Sequence, residues 1–402
     1  MRIAGGAVAL ALVLGARAAL AVDADPSNYT TVLPTLQPGD TLDLASGTYT
    51  DELDVTNLNG SAAAPITIRG PADGSAVFAG NACCNTVEIT NSSYVVIQNL
   101  TIDGGHLDGV FGVSAKGDTQ NLVHHVTIEG CTFRGQDASQ QTDAISTKTP
   151  TWGWVIRRNV IRGAGTGLYL GNSDGSDPFV EGVIEENLVE DTIGYNIEIK
   201  FQNAWPNVAG LPTGTTSTIV RNNVFIKNDA PSPDGDRPNL LVGGFPASGP
   251  GSQNLYEIYG NFFFHNPRES LLQASGRVSI HDNVFVDASD KAIDLVDHDL
   301  PLELAHVYNN TIYAAQRGIH FGNAAPEGDL VFLNLVFAAT PIDGPIANQA
   351  ANMTDTAANA GMYVNAPSLV LGQMDFYPRS GKCQGAPYDA SAVASETDYD
   401  ED

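Results

Sequence analysis

Two rhythms run through the hydrophobic and polar positions of this chain. The first is a six-residue frame: apolar, two unrestricted positions, Asn, one unrestricted position, apolar. It occurs at 156–161, 184–189, 220–225, 258–263, 280–285 and 307–312, placing Asn159, Asn187, Asn223, Asn261, Asn283 and Asn310 in the fourth position. Leu100, Cys131 and Leu335 take that position in three further copies, and successive anchors lie 22 to 38 residues apart. Repeats of that length, with the variation confined between anchors, are the signature of a solenoid. An inward Asn at a bend can take a left-handed backbone and bond nearby main chain. On stacked coils its amide can also bond the Asn above and below, which makes a buried amide tolerable.

The second rhythm follows each anchor after a variable stretch. It reads Phe111-Gly112-Val113, Ile145-Ser146-Thr147, Leu168-Tyr169-Leu170, Ile197-Glu198-Ile199, Leu240-Leu241-Val242, Leu271-Leu272-Gln273, Ile293-Asp294-Leu295 and Ile319-His320-Phe321. The first member is apolar and the third nearly always so, which predicts strands with one inward face. Stacked, they form one long parallel sheet, with the rest of each coil as the crossover. The predicted fold is all-β, a single-stranded parallel β-helix of about nine or more coils with an Asn ladder. Residues 22–85 are read as an N-terminal cap and first coils, 86–345 as the helix, and 346–402 as a C-terminal cap and acidic tail, with 346–365 covering the open end. Loops at 201–217, 227–238 and 243–254 are rich in Pro, Gly, Ser and Asp. They are longer than turns, and such loops on a rigid scaffold often carry function.

The first 21 residues read as a secretory signal peptide: Arg2, an apolar run to Leu14, small residues, then Ala19-Leu20-Ala21 as a cleavage site. Arg17 interrupts the run, and no segment is long enough to span a bilayer. The expected location is outside the cytoplasm: periplasmic, extracellular or on the cell surface. Formal charge is −27, and loss of Arg2 and Arg17 with the leader takes it to −29. That argues against nucleic acid, which needs a basic surface. A polyanionic polysaccharide would need a local basic patch or bound cations. Four cysteines lie beyond the leader, where disulfides are permitted. Cys131 suits a buried ladder position. Cys383 could staple the tail to Cys83 or Cys84.

Near the start stand Leu36-Gln37-Pro38-Gly39-Asp40, Ser46-Gly47-Thr48-Tyr49 and Pro65-Ile66-Thr67-Ile68, and near the end Asp375-Phe376-Tyr377-Pro378. These segments resemble exported right-handed parallel β-helix proteins of the pectate-lyase-like superfamily, the opening being similar to the alginate lyase and chondroitinase B group. The resemblance implies a right-handed helix and a carbohydrate ligand; it leaves the activity open, because fold does not fix function.

Chemistry is expected on the outward positions of the long sheet. Gly112, Ser146, Tyr169, Glu198, Leu241, Leu272, Asp294 and His320 form one row; Ser114, Lys148, Gly171, Lys200, Gly243, Ala274, Val296 and Gly322 form the next. Lys148 and Lys200 then lie two coils apart, near ~10 Å, with only Gly171 between them. The chain beyond the leader holds six lysines, so two in one column are informative. A Lys can neutralise a uronate carboxylate, and Tyr169 or the second Lys can serve as acid or base if neighbours tune it. Lys148, Tyr169, Lys200 and Glu198 are the candidate catalytic residues. Asn172, Asn196, Asp294, His298 and His320 are candidate substrate contacts. Asp297-His298-Asp299 resembles the Asp-Pro-His-Asp segment of mannuronan C5-epimerases but lacks the Pro. The turns 172–177 and 234–236 could bind Ca²⁺; Asx-Gly turns also form without metal. No metal ligand is assigned.

Two families are less well matched. Polygalacturonase-type hydrolases need an Asp-Asp pair and an Arg-Ile-Lys, both absent; only Gln141-Thr142-Asp143 and Gly104-Gly105-His106 come near. The chondroitinase B group uses a Lys base and an Arg acid, yet no Arg falls in the outward rows. The sequence therefore points to a secreted, monomeric enzyme acting on an acidic polysaccharide by β-elimination or C5-epimerisation. The alternative is a non-catalytic carbohydrate-binding or surface helix using loops 201–217 and 243–254. A hydrolase pairing Glu198 with Asp294 would have its carboxylates four coils apart, ~19 Å, too far for the usual pair.

Overall fold

The computed structural model describes residues 19–81 and 83–383. The expected leader lies outside them except for its last three residues, and so does the acidic end from Glu396. From Ala21 onward the chain winds as a right-handed parallel β-helix. Each coil has three strands, and like strands of successive coils pair in parallel. They build an approach sheet of 15 strands leading into the Asn bend, an exit sheet of 12 strands leaving it, and a platform sheet of 11. One coil shows the plan: Val155–Arg157 in the approach sheet, Val160–Ala164 in the exit sheet and Thr166–Leu170 in the platform.

Alternation within each strand fills the interior. Ile156, Ile161, Leu168 and Leu170 are fully buried, and their counterparts repeat coil after coil. The stacking continues in the aromatic residues: Phe225, Phe263 and Phe285 lie one above another at 5.0 and 4.6 Å between ring centroids. Each such ring adds roughly 0.5–1.5 kcal/mol beyond its burial. At the N-terminal end Tyr29, on a short helix Tyr29–Val32, is 1 % exposed and packs edge-on against Tyr49 and Phe78. Its hydroxyl donates to the Asp51 carbonyl. That plug keeps the first coil's apolar floor from water.

The ladder is present and longer than the frame predicts. Asn159, Asn187, Asn223, Asn261, Asn283, Asn310, Asn334 and Asn352 each present a side-chain oxygen to the coil before. Asn187 is typical: its Nδ2 donates to Asn223 Oδ1 at 2.9 Å and to the Ile156 carbonyl at 2.8 Å, while its backbone N–H donates to the same Asn223 oxygen. Two details differ from expectation. The position assigned to Leu335 belongs to Asn334, one residue earlier. The left-handed residue is the one before each Asn, such as Arg158 (φ 54°), Glu186 (56°) and Gly260 (63°), so the Asn itself is free to point inward.

The C-terminal region also departs from the expected cap over 346–365. Gln349–Ala350 and Met353–Asp355 extend the approach and exit sheets, and Asn352 extends the ladder. The following segment, with strands Val364–Ala366 and Asp375–Pro378, folds along the outer face of the exit sheet, packing Tyr363 and Phe376 against Phe337 and Tyr313. Cys383 joins that apolar patch as a thiol. It does not staple the tail to the N-terminal region; Cys83 and Cys84 are bonded to each other. Cys131 is a buried thiol in the ladder column, as expected.

Candidate functional site

Strand pairing fixes which residues share the platform. Tyr169 pairs with Ser146 on one side and Glu198 on the other. The expected row is right there and shifted elsewhere. Val113, not Phe111, pairs with Ile145, so Ser114 stands beside Ser146 and Lys116 falls opposite Lys148. At the far end Gln273, not Leu272, pairs with Leu241 and Asp294. The second row therefore reads Lys116, Lys148, Gly171, Lys200: three lysines on four successive coils. A side chain at Gly171 would stand 3.2 Å from Lys200 Cβ, and its φ of +97° disfavours one. The glycine leaves room for Lys200 rather than for a ligand.

Around Tyr169 the charges form two pairs. Lys148 Nζ lies 5.1 Å from the Tyr169 ring centroid and Lys200 Nζ 5.9 Å. Each ammonium also faces a second ring, Phe111 and Phe201 respectively, at 5.5 Å. Beneath each lies a carboxylate. Lys200 donates to Glu198 Oε1 at 2.8 Å, and Lys148 stands 3.8 Å from Asp143 Oδ2. Lys148 is 41 % exposed and Asp143 only 4 %. Cations held against aromatic faces gain roughly 0.5–2 kcal/mol each, and here two of them flank Tyr169 on a protein whose net charge is −27.

Asp143 is the residue the sequence did not reveal. It begins the strand Asp143–Thr147, and its Oδ2 is buried and accepts no hydrogen bond from any described residue. Burial pushes its pKa up to about 7, the Lys148 ammonium pulling it down, the Glu198 carboxylate raising it further and Lys116 opposing. Burial also raises Glu198, against the pull of Lys200. Tyr169 is held well above the ordinary phenol value, first by burial and then by Glu198 and Asp143. It therefore keeps its proton at neutral pH.

Loops complete the walls. Gln140, 3 % exposed, grips the 227–238 loop with both ends of its amide: Nε2 donates to the Gly235 carbonyl at 2.8 Å and Oε1 accepts from the Asp234 N–H at 2.9 Å. Lys227 and Asn266 donate to the Arg237 carbonyl. So held, Arg237 lies over the Tyr195 ring at 5.6 Å and acts on both Tyr195 and Glu198. An arginine thus reaches this part of the platform from a loop, although the strands beside Tyr169 carry none. On the opposite edge, Ser173 lies near enough to the Tyr169 hydroxyl to offset part of the rise in its proton affinity. In the same turn the Asn172 amide donates to Ser176 Oγ and Asp177 Oδ2.

The other expected contacts divide. The 297–300 turn lies beside the platform, where Ser275 Oγ donates to the His298 carbonyl and His298 lowers the proton affinity of Glu198. Asn196 does not border it: fully buried, it donates to the Val189 carbonyl and Thr192 Oγ1 at the corner between exit and platform sheets. Asp294 is paired with Lys291 at 3.2 Å and lies three coils from Glu198, not four, through Leu241 and Gln273. At ~14 Å it remains too distant for a carboxylate pair. His320 is one coil further and bonded to Asp343. Among the described residues no group of three or more His, Cys, Asp or Glu converges as a metal site.

No protein-family model matches the chain, and no curated protein matches it. Solved structures similar to it include an alginate lyase from Paenibacillus sp. str. FPU-7 (14 % identity over 84 % of this chain and 99 % of that one, TM-score 0.40). Others are a GH136 lacto-N-biosidase from Eubacterium ramulus (10 %, 84 % and 68 %, TM-score 0.49) and the A-module of a mannuronan C-5 epimerase from Azotobacter vinelandii (15 %, 81 % and 93 %, TM-score 0.48). At these identities and TM-scores the likenesses assign neither a family nor an activity to this chain.

Proposed function

We propose that the platform acts on a uronate-containing polysaccharide by removing the proton at C5, leading to β-elimination or C5-epimerisation. The observation that carries this reading is the pair of lysines bracketing Tyr169, one of them over a buried carboxyl group that titrates at about 7. A uronate carboxylate placed between Lys148 and Lys200 is neutralised, which acidifies the C5 hydrogen. The same carboxylate draws the Lys148 ammonium off Asp143, and loss of that nearby charge strengthens Asp143 as a base. Asp143 then takes the C5 proton. In elimination the C4–O4 bond breaks and Tyr169, still protonated, supplies the leaving oxygen with its proton; in epimerisation Tyr169 instead gives that proton to C5 from the face opposite Asp143. Glu198 holds Lys200 in place, and Arg237 and His298 border the sugar.

The test is a screen of purified protein on uronate polysaccharides, with and without calcium, following absorbance near ~235 nm, where an unsaturated uronate absorbs; proton abstraction by a tuned base contributes ~10²–10⁴-fold. Signal from the wild type and its loss in Lys200→Ala supports elimination. A silent wild type with altered C5 configuration in the recovered polymer supports epimerisation. A silent wild type that leaves every polymer unchanged overturns the enzymatic reading.

A further inference from the structure

The row of lysines has two ends, and both are blocked. Lys116, Lys148 and Lys200 span three coil spacings, ~14 Å along the helix axis. On the N-terminal side the lysine row continues as Thr90 and Thr56, and the acids stand in the outward row beside it, where Ser114 pairs with Glu88 and Glu88 with Asp54. Glu52 faces the same group; after burial, Glu88 and Asp54 do most to raise its proton affinity, and Lys116 opposes them. Lys116 thus stands at a boundary, acting on Asp143 on one side and on Glu52 on the other.

On the C-terminal side the row continues as Gly243, Ser275 and Val296, without charge. There the 297–300 turn leans back over the sheet. A side chain on Gly244 would meet Leu300 Cβ at 2.5 Å, and Ser275 Oγ donates to the His298 carbonyl. The lean brings His298 near Glu198 and Asp299 near Tyr195. A polyanion running further in that direction would meet this turn and the Asp299 carboxylate.

We propose that the platform takes a short anionic oligosaccharide or a chain end, laid along the helix axis over Lys116, Lys148 and Lys200 and stopped by Glu52, Asp54 and Glu88 at one end and the 297–300 turn at the other. A pyranose residue in an extended chain advances by close to one coil spacing, so the tract accommodates roughly three or four sugars. This rests on the uronate reading above and adds a length limit to it.

The experiment is calorimetric titration of the full chain with size-fractionated oligouronates of two to eight residues. It uses wild type and Asp143→Asn, the latter so that turnover does not consume the ligand. Affinity should rise from disaccharide to tri- or tetrasaccharide and then stay level. Lys116→Gln should weaken binding of the tri- and tetrasaccharide by about two- to fivefold and leave the disaccharide unchanged. Asp54→Asn and Glu88→Gln, made separately, should let the affinity keep rising to longer chains. Melting curves confirm that each variant is folded. Affinity that climbs steadily to the octamer in both wild type and Asp143→Asn, or a Lys116→Gln variant indistinguishable at every length, overturns the bounded tract while leaving the uronate reading intact. Binding of neutral oligosaccharides with none of the uronates overturns both.

Discussion

The Asn ladder and the platform both bury polar side chains, and they do so to opposite ends. At the ladder every amide is answered. Asn187, 1 % exposed, gives both Nδ2 hydrogens to oxygens and takes two donors from Asn159 on its own oxygen. On the platform, Asp143 is nearly as deeply buried, yet its Oδ2 has no hydrogen-bond partner among the described residues and its proton affinity has moved to the neutral range. A satisfied buried group fixes structure; an unsatisfied one stores reactivity, which is why perturbed groups mark functional sites. The difference lies in what surrounds each side chain, not in its type or depth.

That contrast breaks first at Asp143. Replacing it by Asn keeps the shape and removes the titrating proton. Activity on the responsive polymer should fall at least ~100-fold, with thermal stability equal or higher. A variant retaining more than a tenth of wild-type turnover would show that the buried carboxyl is a bystander. The reciprocal change is Asn187→Ala. It strips the acceptor from the Asn159 N–H and amide and the donor from the Ile156 carbonyl. It should cost about 3 kcal/mol or more in urea unfolding, at ~1–3 kcal/mol for each buried group left unpaired, with little change in the turnover of folded protein.

The pH dependence of stability sharpens the same point. The folded pKa of Asp143, about 7, lies above its unfolded value near ~3.9. Between those values the folded chain holds more protons than the unfolded one. The stability Asp143 contributes is therefore complete below about pH 4 and is lost as pH rises through 7. Urea midpoints collected from pH 4 to 8 should show that decline in the wild type and a flatter profile in Asp143→Asn. The smallest effect belongs to the exposed charge pairs along the outside of the coils. Arg162, 61 % exposed, pairs with Glu190; Arg162→Ala should move the unfolding free energy by less than about 1 kcal/mol.

How much of this is legible in the sequence follows from what kind of signal each region leaves. The ladder is legible because its frame repeats and its chemistry demands one residue type. The platform row is only half legible. Alternation of period two cannot detect a slip of two residues, so Phe111-Gly112-Val113 satisfies it as well as the true Val113-Ser114-Ala115 does. The slip hides Lys116, although Val113-Ser114-Ala115-Lys116 matches Ile145-Ser146-Thr147-Lys148 position by position. At Leu271-Leu272 two adjacent apolar residues make the phase ambiguous by one. Asp143 leaves no local mark: Gln141-Thr142-Asp143 is an ordinary run, and its meaning comes from burial under Lys148. Arg237 depends on Gln140 grasping a loop 95 residues away in sequence, a contact no spacing rule encodes. Asn196 misleads for the opposite reason. It is a polar residue beside a platform strand, yet it sits at the corner where the chain turns inward.

The ladder also constrains how such a molecule can change over generations. Each Asn clasps only its immediate neighbours, and every coil from Asn159 to Asn352 repeats the same clasp. Whole coils are thus interchangeable units of length, whereas a deletion of a few residues inside the frame would pull adjacent amides out of reach and break the series. Lineages built this way should gain or lose length in steps of one coil, ~4.8 Å at a time, and put finer variation into the stretches between frames. A duplicated coil inserted between Tyr169 and Glu198 would leave the backbone coherent and move Lys200 one step further from Lys148. Reach along the axis can therefore be altered by copying, without inventing a new strand.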